Sequence, residues 1–307
     1  MLVVENLSKS YVKKRVGGGS SVMAVRNVGF RIPTGETLCL VGESGSGKTT
    51  IGRCIIRLLE PDQGSVSLGG RSVTQADSKA MKRIRKQMQM IFQDPYSSLN
   101  PRMTVGQTIS EALQVHGIAT SPDSRLETHR LFEMVGLSSG VSDRYPHELS
   151  GGQRQRVGIA RSLAVRPSLI ICDEPVSALD VSVQAQILNL LRSLQADLTL
   201  TYLFIAHDLA VVRQMGGRVA VLLHGELVEV ANATDLFERP LHPYTRLLLS
   251  SVPGAGPRAV SSERRALKAE SACVFYDRCP LAEKRCGEQK PILESRDTGR
   301  LVRCHLV

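Results

Sequence analysis

The sequence predicts an α/β layered fold with a mostly parallel central sheet, a helical insertion and a small cysteine-rich C-terminal domain. Three observations carry this reading. Short apolar runs alternate with stretches of helical periodicity, the pattern of strands joined by crossover helices. The first central run, at 37–41 (TLCLV), leads straight into the glycine-rich stretch GESGSGKTT at 42–50. Four of the seven cysteines lie in the last 35 residues, behind a Pro-Gly-Ala-Gly-Pro segment at 253–257.

The elements follow in order. Residues 2–7 and 23–30 read as strands, separated by a glycine-serine turn at 17–21. The strand at 37–41 and the helix after the glycine loop run to about residue 59. Pro61, Asp62, Gln63 and Gly64 make a turn before a short strand at 65–68. The basic run KAMKRIRK at 79–86 is the solvated face of a short helix, and 88–92 is an apolar strand. From 104 to 165 the pattern is helical, with Ser150 at an N-cap position before the helix at 151–165. Strands follow at 169–172, 201–206, 219–223 and 227–230, with a helix at 181–194. The texture changes after Val252, so a boundary is expected there: a main domain at 1–252 and a C-terminal domain at 253–307.

Composition narrows the function. No run approaches the 18 apolar residues of a membrane span, and the N-terminus lacks the basic and apolar regions of a signal peptide. The net charge of +10 is scattered, aromatics are 4% and Trp is absent, which disfavours a base-stacking nucleic-acid surface. Cys39, Cys54 and Cys172 sit singly in apolar or helical stretches and read as small core residues.

The chemistry begins at the loop. Gly42, Glu43, Ser44, Gly45, Ser46, Gly47, Lys48, Thr49 and Thr50 fit G-x-x-x-x-G-K-[ST] between a strand and a helix, where backbone N–H groups cradle phosphates. The helix N-terminus adds about half a positive charge, Lys48 reaches the outer phosphates, and the Thr49 hydroxyl is a Mg²⁺ ligand. Asp173 ends a buried strand as a second Mg²⁺ partner, and Glu174 beside it can polarise an attacking water. Gln93 and His207 each follow an apolar strand, positions from which to touch Mg²⁺, water or a γ-phosphate. Ser150, Gly151, Gly152 and Gln153 open a helix and make a second anion site. One γ-phosphate has little use for two helix N-termini from one chain, so this second site is expected to serve a nucleotide on another copy.

With these motifs in this order, residues 1 to about 250 resemble an ABC ATPase, the nucleotide-binding subunit of ATP-binding cassette systems. The resemblance implies a P-loop NTPase core with an antiparallel β subdomain and a helical subdomain at about 104–165. Residues 42–50 match Walker A, Gln93 the Q-loop, 149–153 the LSGGQ signature, and 169–174 Walker B. Asp180, in Ser177-Ala178-Leu179-Asp180, matches the D-loop, His207 the switch histidine, and Tyr11 the aromatic that stacks on adenine. ATP and Mg²⁺ are the implied ligands, sandwiched between two cassettes paired head to tail. The stretches QDPYSSLNP at 93–101, DEPVSALDVSVQAQ at 173–186 and LHPYT at 241–245 are similar to one subfamily, the ATPases of bacterial oligopeptide, dipeptide and nickel importers. That likeness implies two transmembrane permeases, a related second ATPase, an extracytoplasmic substrate-binding protein, no nucleic acid, and a peripheral place on the cytoplasmic face of the membrane. Other readings are a nickel or metal-chelate importer and a non-transport ABC ATPase such as a phosphonate-cleavage component, which shares the His-Pro-Tyr-Thr ending but does not account for the cysteine tail.

Cys273, Cys279, Cys286 and Cys304 are spaced by 6, 7 and 18 positions. In a reducing compartment, disulfides are disfavoured. Four thiolates can bind zinc or an iron–sulfur cluster, and gaps wider than C-x₂-C favour the cluster. The subfamily's C-terminal domain has a similar pattern, with a [4Fe–4S] cluster in some members. A purely structural tail without metal stays open.

Overall fold

Continuous apolar runs become fully buried parallel strands, as expected where helices cover both faces of a sheet. In a computed structural model, residues 1–13, 20–96, 98–250, 271–297 and 299–307 are described. The glycine turn at 17–19, Ser97 and the linker at 253–270 lie outside the described residues. In chain order the elements are β1 (Leu2–Lys13), β2 (Ser20–Ile32), β3 (Thr37–Val41), α1 (Lys48–Ile55), β4 (Gln63–Leu68), β5 (Arg71–Ser72), α2 (Ser78–Gln87), β6 (Met88–Ile91), α3 (Val105–Val115), α4 (Ser121–Met134), α5 (Gly151–Leu163), β7 (Leu169–Asp173), α6 (Val181–Leu198), β8 (Thr201–Ala206), α7 (Leu209–Met215), β9 (Arg218–Leu223), β10 (Glu226–Asn232), α8 (Ala233–Glu238), α9 (Pro243–Ser250), α10 (Lys284–Glu288), β11 (Glu294–Asp297) and β12 (Arg300–Val302).

The chain divides into two units. The first holds residues 32–36 and 68–205. Its strands β6, β7 and β8 pair in parallel, with Ile91 beside Cys172 and Asp173 beside Ile205. Every residue of β7 and β8 is buried. Tyr202 lies in this core and donates its hydroxyl to the Leu191 carbonyl at 3.0 Å, which satisfies a buried phenol. Helices α3, α4 and α5 pack on one another and α5 packs on β6. Helix α3 starts at a capping box, in which Thr104 accepts from the Gln107 N–H and Gln107 accepts from the Thr104 N–H.

The second unit holds residues 2–31, 37–67 and 206–307. Strand β1 lies between β2 and β4. Strand β3 is buried at all five positions and pairs in parallel with β9. Beyond β9 the pairing turns antiparallel: β9 to β10, β10 to β12, and β12 to β11. Residues from the C-terminal tail therefore extend this sheet. They are held there by a buried ion pair: the Arg300 guanidinium contacts the fully buried Glu229 carboxylate at 3.3 Å. Glu229 also accepts the N–H groups of Leu241 and His242, each at 2.9 Å.

Candidate active site

The glycine-rich loop at 42–50 is built by the second unit. Strand β3 delivers the chain to Gly42, and α1 starts at Lys48. Gly47, the N-cap, has φ 108°, and a Cβ there would stand 2.2 Å from the Ala24 carbonyl oxygen, so only glycine fits. As a glycine, this cap makes no side-chain hydrogen bond to the first turn, and the dipole of α1 favours an anion at that end. Lys48 is 5% exposed. Its ammonium donates to the carbonyls of Gly42 at 2.9 Å and Glu43 at 3.0 Å, so the charge is held inside the loop. Ser46 is buried too, and its hydroxyl has no hydrogen-bond partner among the described residues. Thr49 and Thr50 are half-buried on α1, while Ser44 and Gly45 are exposed at the loop tip.

Tyr11 reaches this loop from β1. Its hydroxyl lies 3.3 Å from the Thr50 hydroxyl while the ring stays 41% exposed. The strand beneath it is pinned by Asp62, which accepts from the Lys9 ammonium at 2.7 Å, the Ser10 N–H at 2.7 Å and the Ser10 hydroxyl at 2.6 Å. The Lys9 hydrogen bond, followed by those of Ser10, pulls the Asp62 carboxyl down to about 2. His207 follows β8 and is exposed.

In the first unit the carboxylates are set by strand register. Because Ile91 pairs with Cys172, Gln93 and Glu174 emerge side by side two positions on. The Gln93 amide donates to the Glu174 carboxylate at 2.9 Å. Glu174 has φ 47°, a conformation that costs a non-glycine residue about 1–3 kcal/mol and clusters at functional sites. Its N–H still donates to the Ile205 carbonyl at 3.0 Å, so the turn out of β7 is anchored. Asp173 ends β7 and is 2% exposed.

The start of α5 is also in the first unit. Ser150 is exposed and closes a capping box with Gln153: its hydroxyl accepts from the Gln153 N–H at 3.3 Å and its own N–H donates to the Gln153 side chain at 3.0 Å. Gly152 permits close approach of α6, since a Cβ there would stand 2.6 Å from a Val183 methyl. Asp180, the N-cap of α6, is exposed, and Val181 beside it is 82% exposed.

The cysteines divide as the sequence implies. Cys39, Cys54 and Cys172 are buried, and burial pushes the thiols of Cys39 and Cys54 up to about 12 and about 11. In the tail, Cys279, Cys286 and Cys304 are buried and Cys273 half-buried. The Cys273 N–H donates to the Cys286 carbonyl at 2.8 Å. Burial, opposed by the Phe275 N–H and aided by the neighbouring sulfurs of Cys286, Cys304 and Cys279, pushes the Cys273 thiol up to about 11. The Cys304 sulfur accepts the Leu306 N–H at 3.5 Å. Among the described residues no group of three or more His, Cys, Asp or Glu side chains is arranged to hold a single metal ion.

Comparison with known proteins now decides the family. Residues 25–177 match the ABC transporter family model, and residues 228–286 match that of the oligopeptide/dipeptide transporter C-terminal region. The chain belongs to the ABC transporter family. A Bacillus subtilis oligopeptide transport ATP-binding protein is 46% identical to this cassette over 96% of the chain and 92% of its own length. A second Bacillus subtilis chain, provisionally named for oligopeptide transport, is 47% identical over 98% and 95%. Among solved structures, a dimeric ATP-binding cassette in a post-hydrolysis state with ADP and Pi superposes with TM-score 0.68 at 30% identity, over 76% of this chain and 99% of that one. The fold is thus an ABC ATPase cassette with a mixed sheet. Among the described residues of the cassette no helix is long and apolar enough to cross a membrane.

Three long-range contacts around these residues were not legible in sequence. The Gln93–Glu174 bond joins residues 81 positions apart. The Tyr11–Thr50 contact spans 39 positions. The third is the ion pair of Arg278 with Glu43, 235 positions apart, for which no local signal exists.

Proposed function

We propose that this cassette is the ATP-hydrolysing subunit of a bacterial peptide importer, seated peripherally on the cytoplasmic face of two membrane permeases. The observation that carries the reading is the match of residues 228–286 to the oligopeptide/dipeptide transporter C-terminal region. The loop 42–50 binds the phosphates of ATP, with Lys48 turning from its carbonyl partners to the outer phosphates. Thr49 and Asp173 hold Mg²⁺, and Tyr11 lies against the adenine. Glu174 polarises the attacking water, oriented by Gln93, with His207 facing the γ-phosphate. Ser150, Gly151, Gly152, Gln153 and Asp180 serve the nucleotide of a facing cassette, a related second ATPase. The capping box pairs the Ser150 hydroxyl with the Gln153 N–H, and Ser150 itself is exposed at the head of the half-buried first turn. An extracytoplasmic binding protein selects the peptide.

We infer that the four tail cysteines hold a [4Fe–4S] cluster rather than a zinc ion. Three of the four sulfurs are buried, and the backbone N–H groups of Phe275 and Leu306 donate to those of Cys273 and Cys304. Such donors accompany iron–sulfur ligation. The cluster would order the tail. Anaerobically purified protein should be brown, with broad visible absorption that bleaches on reduction. Colourless protein with stoichiometric zinc refutes the assignment.

The transport reading is tested by tagging the chain and purifying it from membranes. Two permeases and a second cassette should accompany it, and proteoliposomes of that complex should take up peptides with ATP. Uptake of nickel and not of peptides moves the substrate assignment. Glu174→Gln should bind ATP normally and lose at least about 100-fold in turnover.

A further inference from the structure

Glu43 presents a puzzle of charge. It places a carboxylate in the loop assigned to polyphosphate, where a negative group works against the ligand. The residue is nevertheless held on every side: its carbonyl accepts from Ser46 and Lys48 within the loop, while its carboxylate and its N–H are met by residues from the C-terminal third of the chain. Arg278 donates to it through two nitrogens, at 3.0 Å and 3.3 Å, the forked geometry that guanidinium and carboxylate favour. The Glu43 N–H donates to the Tyr244 hydroxyl at 3.1 Å. Arg278 lies over the rings of Tyr244, at 5.8 Å, and Phe275, at 5.4 Å. Phe275 packs edge-on against Tyr244 at 5.5 Å. Both rings are fully buried, so Arg278 is directed by a rigid aromatic floor. It immediately precedes Cys279, and the loop from Cys273 to Cys279 carries Phe275 as well. The backbone carbonyl of the same Glu43 holds Lys48.

We propose that Arg278 is a positioning residue for the phosphate loop: it neutralises and orients Glu43, so that nucleotide affinity depends on the cysteine-bearing segment that presents it. This rests on the reading of loop 42–50 as the ATP site. With Arg278 in place, the Glu43 charge is matched and its backbone fixed against Tyr244. Without it, a free carboxylate stands next to the incoming phosphates. Chemistry at the γ-phosphate uses other residues, so the effect falls on binding.

The test is steady-state ATPase activity of the purified complex containing the full chain and its second cassette, with KM for ATP and kcat measured separately. Arg278→Ala should raise KM about fivefold, the scale of a half-exposed charge pair, with kcat within about twofold. Adding Glu43→Gln should bring KM back to within about 1.5-fold of the starting protein, because the offending charge is gone. Arg278→Lys should raise KM less than alanine does. If Arg278→Ala does not fold, Glu43→Gln alone carries the test: KM should be equal to or below that of the parent, and a rise overturns the proposal. An Arg278→Ala value within about 1.5-fold of the parent, a rise that Glu43→Gln fails to lower, or a lysine variant no better than alanine also overturns it. Lys48→Ala separates this from failure of the site itself: if it leaves KM unchanged, the ATP reading of the loop fails instead.

Discussion

Replacing Arg300 by methionine strands a buried charge. Glu229 is fully buried and its carboxylate has three donors: the N–H groups of Leu241 and His242, and the Arg300 guanidinium. Arg300→Met keeps most of the side-chain bulk and removes the cation together with its N–H donors. A charge-assisted hydrogen bond contributes about 1.5–3 kcal/mol, and leaving its partner charged in the interior brings the total to about 3–5 kcal/mol. The Arg239 carbonyl, which accepts from the same guanidinium at 2.6 Å, loses its donor as well. Adding Glu229→Gln removes the stranded charge and should recover at least about half of the loss. Urea unfolding of the single and double variants measures both quantities, and amide exchange should show β12 and the outer edge of β10 losing protection first. A loss below about 1 kcal/mol in Arg300→Met, or a double variant no more stable than the single, refutes the reasoning.

Two further outcomes follow from buried groups. His242 accepts the Tyr244 N–H on Nδ1 at 3.0 Å, and burial is the main reason its imidazole falls to about 4. Its neutral form is favoured in the fold, so its contribution is complete above pH 6.5 and fades as pH falls from 6.5 towards 4, by up to about 3 kcal/mol; His242→Asn should flatten that part of the stability–pH profile measured by denaturant titration. Gly152→Ala drives a methyl into Val183, a stiff β-branched neighbour, and should cost about 1–3 kcal/mol in thermal unfolding, relieved by Val183→Ala; an unchanged midpoint counts against the packing account.

What the sequence made legible was whatever is local. The loop at 42–50 sits between a strand and a helix that are contiguous with it, so the pattern and its structural setting coincide. The signature stretch at 149–153 is likewise one helix start. Boundaries moved where backbone geometry intervened: α1 stops at Ile55, short of the expected residue 59, because Arg57 turns to φ 54°. Strands β11 and β12 were invisible, since Glu-Ser-Arg-Asp and Arg-Leu-Val carry no apolar alternation, and their extended form comes from pairing with β10 rather than from propensity. The three long-range contacts at the site depend on register and packing between distant segments, which no local window contains.

The pairing of β12 on β10 also sets a schedule for synthesis. Val230 waits for Leu301, its register partner 71 positions later. At roughly 5–20 residues per second, the outer edge of β10 stands open for about 4–14 s on every nascent chain. That edge is unpaired in the interval, and its Leu227, Val228, Val230 and Ala231 offer a template to a neighbouring strand. Crowded translation of this chain should therefore yield aggregates through β10, and a chaperone that shields residues 226–232 until the tail emerges is the natural safeguard.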